Sequence, residues 1–178
     1  MIIKNALSQA SLSMLLIAGS VNAQTIEISL TDPLDGYLDS YCLSLEGNEN
    51  DADLTKGLQL HTCSSYQGTA SKLQMFDRNE LEHNLLYLPK ADVCAELTNL
   101  TIGSSVTLAT CNSTAEQMFD FSGKGHIAST VEPSLCLTAS LDTRLSSENF
   151  KQQVKGLTLE PCSADKKRFQ TWQTRMLK

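Results

Sequence analysis

The amino-acid sequence predicts an all-β fold built from three related units, and three observations support that prediction. Short runs of alternating apolar and polar residues recur along the chain, which is the pattern of half-buried strands. Apolar residues at helical spacing are not sustained anywhere after residue 23. A block consisting of a strand, a cysteine and a Gln-x-aromatic triplet occurs three times. Repetition at intervals of about 50 residues indicates copies of one supersecondary unit around a shared core.

The first 23 residues have the three-part pattern of a secretory signal peptide. Lys4 supplies a positive charge, an apolar run extends from Leu12 to Val21, and Val21-Asn22-Ala23 is typical of a cleavage site. An ordinary N-terminal helix is the alternative. We expect residues 1–23 to be removed, leaving one domain over residues 24–178 in a secreted or periplasmic protein.

Composition and charge exclude several classes of protein. Of the 178 residues, 41% are hydrophobic and 19% are charged, as in ordinary soluble globular proteins. With 14 Lys+Arg against 20 Asp+Glu the net charge is −6, which argues against binding nucleic acid through its phosphates. Apart from the N-terminal run, which is too short, no apolar run approaches a membrane-spanning length of about 20 residues, so no membrane span is expected.

The six cysteines all follow residue 23, and an even number in an exported chain indicates disulfides. They are Cys42, Cys63, Cys94, Cys111, Cys136 and Cys162. Metal binding is the competing interpretation, but the chain has no CxxC pair and no histidine at ligand spacing from a cysteine. No metal or other cofactor is therefore expected. Six cysteines allow 15 pairings.

The repeated block favours one of these pairings. The strands before the second cysteine of each unit are 57–63, 105–111 and 156–162, and the triplets are Gln74-Met75-Phe76, Gln117-Met118-Phe119 and Gln170-Thr171-Trp172. If the units are equivalent, each closes its own loop, as Cys42–Cys63, Cys94–Cys111 and Cys136–Cys162. Loops of this length stabilise a fold by roughly 3 kcal/mol each in the chain-entropy model. Pairing between units is the alternative.

Other elements complete the predicted all-β chain. We expect strands over residues 25–30, 85–88 and 131–137, and turns at Asp35-Gly36 and around Gly123-Lys124-Gly125. Residues 46–56 and 140–155 are predicted to be long polar loops. The three repeats extend over about residues 37–80, 85–125 and 127–176.

These residues resemble the ricin-type β-trefoil family, whose lectins are known by Gln-x-Trp triplets. The resemblance covers about residues 25–177, with Phe in place of Trp in the first two triplets. It implies a six-stranded barrel capped by three hairpins, about twelve strands in all, with three intra-repeat disulfides.

The same resemblance implies roles for the repeated side chains. Phe76, Phe119 and Trp172 are expected to be core aromatics, with Leu60, Leu108 and Leu159 pointing inward beside them. Gln74, Gln117 and Gln170 are expected to hydrogen-bond backbone groups near the loops, because a buried amide needs partners. The triplet is therefore a folding signal first.

The family's sugar pockets combine three positions in one repeat. These are an acid two residues after the first cysteine, an aromatic two before the second cysteine, and a polar residue before the triplet glutamine. The corresponding residues here are Ser44, His61 and Leu73 in the first repeat, Glu96, Ala109 and Glu116 in the second, and Thr138, Glu160 and Phe169 in the third. No repeat has the whole set, so the pockets are degenerate.

The first repeat ranks above the second, and the second above the third. The first keeps a ring at His61, with Gln59 and Gln74 as partners for sugar hydroxyls. The second keeps an acid. The candidate carbohydrate-binding residues are Ser44, Gln59, His61, Gln74, Glu96 and Gln117.

The sequence therefore predicts a secreted, non-catalytic carbohydrate-binding module, with galactose-type glycans as the partners that the resemblance implies. No HExxH or GxSxG motif occurs, and the predicted disulfides leave no thiol for catalysis, so an enzyme is not expected. The alternative is a protein-binding trefoil without a working sugar site, for example the cell-binding subunit of a secreted toxin assembly. A secreted protease inhibitor is a further alternative that rests on fold analogy alone.

Overall fold

The computed structural model describes residues 24–36, 40–145 and 152–177, so the predicted signal peptide lies outside the described residues. The strands are β1 Thr25–Leu30, β2 Tyr41–Asn48, β3 Asp51–Thr62, β4 Phe76–Asp77, β5 Tyr87–Leu88, β6 Val93–Leu97, β7 Val106–Ala109, β8 Phe119–Asp120, β9 Lys124–Gly125, β10 Ala128–Ser129, β11 Leu135–Ala139, β12 Arg144–Leu145, β13 Gln153–Lys155, β14 Leu157–Pro161 and β15 Trp172–Met176. The α-helices are α1 Arg78–Glu82 and α2 Lys167–Gln170, and short 3₁₀ helices span Ser64–Gln67, Lys72–Gln74, Ala115–Gln117 and Ala164–Lys166.

The strands form three antiparallel sheets, with one long hairpin for each repeat. The largest sheet has the order β12-β13-β3-β2-β1-β15-β9, and β4 also pairs with β1. The second sheet has the order β14-β11-β10-β8, and the third has the order β5-β6-β7. The repeat hairpins are β2–β3, β6–β7 and β11–β14. The all-β trefoil prediction is confirmed, and the described residues hold fifteen strands, three more than expected.

Two segments differ from the predicted elements. Residues 46–53 belong to the β2–β3 hairpin, which continues past a register shift at Leu45/Glu46 to pair Glu46 with Asp53. The predicted strand over 131–137 begins only at Leu135. The hydroxyl of Ser129 accepts from the backbone N–H groups of Val131 and Glu132, which holds these residues in a turn instead.

The core contains the aromatic residues expected from the triplets. Phe76, Phe119 and Trp172 are fully buried, and the indole N–H of Trp172 donates to the carbonyl of Leu137 at 3.1 Å. Leu60 and Leu159 are also fully buried. Leu108, in β7, is half-buried and packs against the core.

The disulfides follow the intra-repeat pairing, which confirms that prediction. Cys42–Cys63, Cys94–Cys111 and Cys136–Cys162 have Cα–Cα distances of 5.0, 5.1 and 5.1 Å. Each bond links the first strand of a hairpin to the segment just after its second strand, so each hairpin is closed covalently beside its triplet.

The described helices are short. None of them is long and apolar enough to cross a membrane.

Candidate functional site

The three triplet glutamines hold the turn after each disulfide in the same way. The side-chain oxygen of Gln74 accepts from the backbone N–H of Ser64, and its amide donates to the carbonyl of Thr62, so the two bonds bracket Cys63. The equivalent oxygens of Gln117 and Gln170 accept from Asn112 and Ser163, each one residue after a cysteine. Their amides donate to the carbonyl just before that cysteine. The expected contact of these amides with the backbone near the loops is thus present in all three repeats.

The second amide hydrogen distinguishes the first repeat from the others. In the second repeat Gln117 donates it to the carboxylate of Glu96 at 2.9 Å, and in the third Gln170 donates it to the hydroxyl of Thr138 at 2.8 Å. In the first repeat the equivalent residue, Ser44, donates instead to the carbonyl of Leu45. One amide hydrogen of Gln74 therefore has no partner among the described residues.

Gln74 lines a surface hollow of about 240 Å³ in the first repeat. Ser44 and His61 line the same hollow, so the structure brings together three of the predicted residues. Leu73, at the position where the family has a polar residue, also lines it. The fold therefore places a small polar depression where the first-repeat pocket was predicted.

An acid that the sequence comparison missed also lines this hollow. Glu49 sits at the tip of the β2–β3 hairpin, and its Oε1 accepts from the Ser71 hydroxyl at 2.8 Å and the Lys72 N–H at 2.7 Å. Its Oε2 accepts no hydrogen bond from the described residues. The Ser71 hydroxyl holds the pKa of Glu49 below its ordinary value, so the side chain is a carboxylate at neutral pH.

The imidazole of His61 is less available than predicted. Only 12% of the side chain is exposed, and Nε2 lies 3.3 Å from Oε2 of Glu46 without making a hydrogen bond. The carboxylate of Glu46 also lies 3.3 Å from Nη2 of Arg144. Burial lowers the pKa of His61, and the opposing effect of Glu46 is smaller, so the ring is neutral at pH 7. With only this small fraction exposed, the ring offers the hollow little contact area.

Gln59 does not line the hollow with the other first-repeat residues. Its side chain is buried, its amide donates to the carbonyl of Lys56, and its Oε1 accepts from Arg144. Arg144 belongs to the third repeat, so this contact ties the two repeats together.

The prediction of a long loop over residues 140–155 is wrong at both described strands in this range, β12 and β13, and β13 contacts the first repeat. Strand β13 pairs with β3, with Val154 opposite His61 and Lys155 opposite Leu60. Gln152, immediately before β13, lines the first-repeat hollow. The hollow is therefore built from two repeats, which the family's within-repeat positions do not reveal.

The second and third repeats use their polar groups internally. In the second repeat the carboxylate of Glu96 accepts a hydrogen bond from Gln117, and Ala109 provides no ring. In the third, Glu160 pairs with Lys166 at 3.2 Å, and Phe169 packs against the core. Of the three repeats, the first is therefore the best candidate for a sugar pocket.

The buried, neutral state of His61 predicts a pH dependence of stability. Because its pKa is lower in the folded chain than in the unfolded chain, protons bind preferentially to the unfolded chain. The contribution is fully present above the unfolded pKa of about 6.5 and is lost as pH falls toward the folded pKa. We expect the melting temperature, followed by circular dichroism from about pH 8 to pH 5, to fall on the acid side less steeply in His61→Gln than in the wild type.

His126→Gln is the matched control for this measurement, because His126 is exposed. It should keep the wild-type pH slope. An unchanged slope in His61→Gln would show that another group carries the acid sensitivity.

Three covalently closed hairpins, each locked by a glutamine, define a β-trefoil of the lectin type. A family model described as the ricin-type beta-trefoil lectin domain matches residues 33–142 and 86–177. The chain belongs to this family.

One solved structure shows the same fold. The C-half of an earthworm R-type lectin, crystallised in complex with GalNAc, matches with a TM-score of 0.52 and 13% sequence identity, over 86% of this chain and 99% of that chain. At this identity the likeness establishes the fold. A search of curated proteins found no match.

Proposed function

We propose that this chain is a secreted, non-catalytic carbohydrate-binding module whose working site is the first-repeat hollow. The observation that carries the proposal is the unused amide hydrogen of Gln74, which lines the hollow together with the Glu49 carboxylate. Secretion rests on the signal-peptide pattern of residues 1–23. Galactose-type sugars are the ligands favoured by the family and by the GalNAc complex of the earthworm lectin.

The hollow recognises sugar hydroxyls chiefly through hydrogen bonds. The free oxygen of Glu49 accepts from hydroxyls, and the amide of Gln74 donates to them, as a carboxylate and an amide do in polar recognition. His61 adds little stacking area, so affinity for a single sugar ring is low.

A second depression extends the site beyond one ring. A hollow of about 300 Å³ shares Glu49, Ser64 and Ser71 with the first. Glu49 therefore stands between two adjoining hollows, which favours an oligosaccharide that places one residue on each side of this carboxylate.

Glu49→Gln tests the site directly. It removes a charge-assisted hydrogen bond and keeps the side-chain volume, so we expect the association constant to fall about tenfold or more. The measurement is a glycan array on oxidised protein, followed by isothermal titration calorimetry with the strongest galactoside.

Glu132→Gln is the matched control, because Glu132 is an exposed glutamate that also accepts a serine hydroxyl, from Ser134, outside the hollow. It should bind as the wild type does. Equal binding by the wild type and Glu49→Gln would contradict the proposed site. An array without signal would contradict carbohydrate binding itself.

The occupied positions in the second and third repeats favour a second candidate function, a protein-binding trefoil. An array without signal, together with a secreted protein that co-purifies with the chain, would support it. Monomeric sedimentation with strong glycan signals would exclude it as the main function.

A further inference from the structure

A cavity of about 420 Å³ lies apart from the first-repeat hollow and shares none of its lining residues. Its walls are α1 with the turn after it, residues 120–123 from the end of β8 onward, and the facing ends of β1 and β15. Apart from β1, each wall follows the Gln-x-aromatic triplet of a different repeat. Its volume lies within the range of small-molecule sites, about 300–1,000 Å³.

Backbone hydrogen bonds hold these walls together. The carbonyl of Asn84 accepts from the N–H of Phe119 at 2.8 Å, and the carbonyl of Gly123 accepts from the N–H of Thr174 at 2.7 Å. Ile26 pairs with Met176 in the β1–β15 ladder. The cavity is therefore preformed, so a ligand bears little cost of ordering it.

The cavity combines an apolar floor with polar groups that have no partner. Ile26, Leu81 and Phe121 line it and are buried. Asn84, Asp120 and Ser122 also line the cavity, and their side chains make no hydrogen bond within the described residues. This arrangement matches a sugar ring, which has an apolar C–H face and a rim of hydroxyls.

The charges at the rim argue against an anionic ligand. Arg78 lies 3.9 Å from Glu82 on the same helix, so its charge is balanced, and Asp120 adds a further carboxylate. We propose that this cavity is a second carbohydrate site, which takes a neutral sugar with Asp120 and Asn84 on its hydroxyls. The proposal rests on the function proposed above only for the choice of sugars as the ligand class.

Two separate sites would make one chain bivalent. A glycan surface would then be held more tightly than either site alone can hold it, because the second contact forms at a high effective concentration.

The test is a two-dimensional NMR titration of the oxidised protein with galactose, N-acetylgalactosamine, glucose and mannose as separate probes. We expect one of them to shift the amide signals of Ser122 and Gly123. Asp120→Ala should lower the affinity of these shifts about tenfold or more, because a charged hydrogen-bond acceptor is lost. Asn84→Gly should also weaken them, and glycine accepts the φ of +65° at this position without strain.

Glu49→Gln and Asp165→Asn separate the possible results. The former, which impairs the first-repeat hollow, should leave the Ser122 and Gly123 shifts intact, so failure of the proposed function is distinguishable from failure here. Asp165→Asn removes an exposed carboxylate that does not line the cavity, and it should leave the sugar-induced shifts of Ser122 and Gly123 unchanged. Absence of shifts with all four sugars overturns the proposal. The proposal is also overturned if ethylammonium chloride shifts these signals while none of the sugars does, because that result would define a cation site.

Discussion

Replacing Gln170 with leucine is expected to lower the free energy of unfolding by about 3 kcal/mol. Leucine fills a similar volume but cannot bond the N–H of Ser163, the carbonyl of Pro161 or the hydroxyl of Thr138, which Gln170 contacts at 2.9, 2.9 and 2.8 Å. Gln170 is fully buried, so its lost bonds are not simply replaced by bonds to water. Each buried polar group left without a partner costs about 1–3 kcal/mol, and the part-exposed ends of these bonds keep the sum near the lower limit.

Urea unfolding followed by tryptophan fluorescence measures this effect, because Trp172 is the only tryptophan and is fully buried. Gln67→Leu is the control, since Gln67 is exposed in a 3₁₀ helix. Its effect should stay within about 0.5 kcal/mol. Equal losses in both variants would show that the triplet glutamine has no special role in holding the turn.

Lys155→Ala is expected to lower the free energy of unfolding by about 3 kcal/mol as well. Only 1% of this side chain is exposed, and its ammonium lies 3.0 Å from Oδ1 of Asp35. It also donates to the carbonyl of Leu141 at 3.0 Å and to the hydroxyl of Thr143 at 2.6 Å, and it lies over the ring of Tyr41. Alanine removes the buried stem and all of these contacts together.

The acidic partner limits the cost of removing this lysine. Burial alone would raise the pKa of Asp35. The Thr143 hydroxyl and the Lys155 ammonium together have the larger, opposite effect, so the pKa lies below its ordinary value and Asp35 is ionised at neutral pH. Because 54% of its side chain is exposed, water can solvate the carboxylate after the lysine is lost. The lost ion pair and hydrogen bonds are therefore expected to cost only about 1 kcal/mol, well below the 3–5 kcal/mol of a fully buried pair, and the lost packing of the buried stem accounts for the rest of the expected 3 kcal/mol.

Lys155→Met separates packing from charge. It keeps the apolar stem, so a loss of about 1 kcal/mol is expected, and the difference from alanine reports the packing of the stem. Chemical denaturation of both variants is the measurement. If alanine and methionine destabilise equally, the stem contributes nothing.

Lys155 also affects the proposed sugar site indirectly. It lies in β13, which pairs with β3 opposite His61 and brings Gln152 to the hollow. Lys155→Met should therefore weaken glycan binding, although the residue itself does not line the hollow. Unchanged glycan affinity would show that β13 stays in place without the buried ammonium.

The trefoil could be predicted because its signals are local. Alternation of apolar and polar residues identifies the hairpins, and the spacing of the cysteines and triplets shows that three equivalent units exist. The same equivalence selected the disulfide pairing. Segments without such a signal were predicted less well, as at Leu135, where a serine hydroxyl delays the start of the strand.

The residues that line the candidate hollow were predicted only in part. Ser44, His61 and Gln74 share the first-repeat hollow, as their family positions imply, whereas Gln59 contacts Arg144 instead. Glu49 was missed because it lies outside the family's positions, in a segment predicted as a loop. The signal that could have found it is the acid-rich tip of an extended hairpin, but nothing in the sequence shows where that tip points.

Repetition within the chain is sufficient to establish the three disulfide-closed units and their shared aromatic core, since equivalent sequences adopt equivalent structures. Which unit keeps a usable polar group depends on contacts between residues far apart in the chain. The carboxylate of Glu96 accepts a hydrogen bond from the amide of Gln117, whereas Ser44 donates to the carbonyl of Leu45 and makes no hydrogen bond to Gln74. Gln152 reaches the first-repeat hollow because the adjacent strand β13 pairs with β3. Hydrogen bonds and ion pairs of this kind depend on distance in space, and no pattern along the sequence encodes that distance.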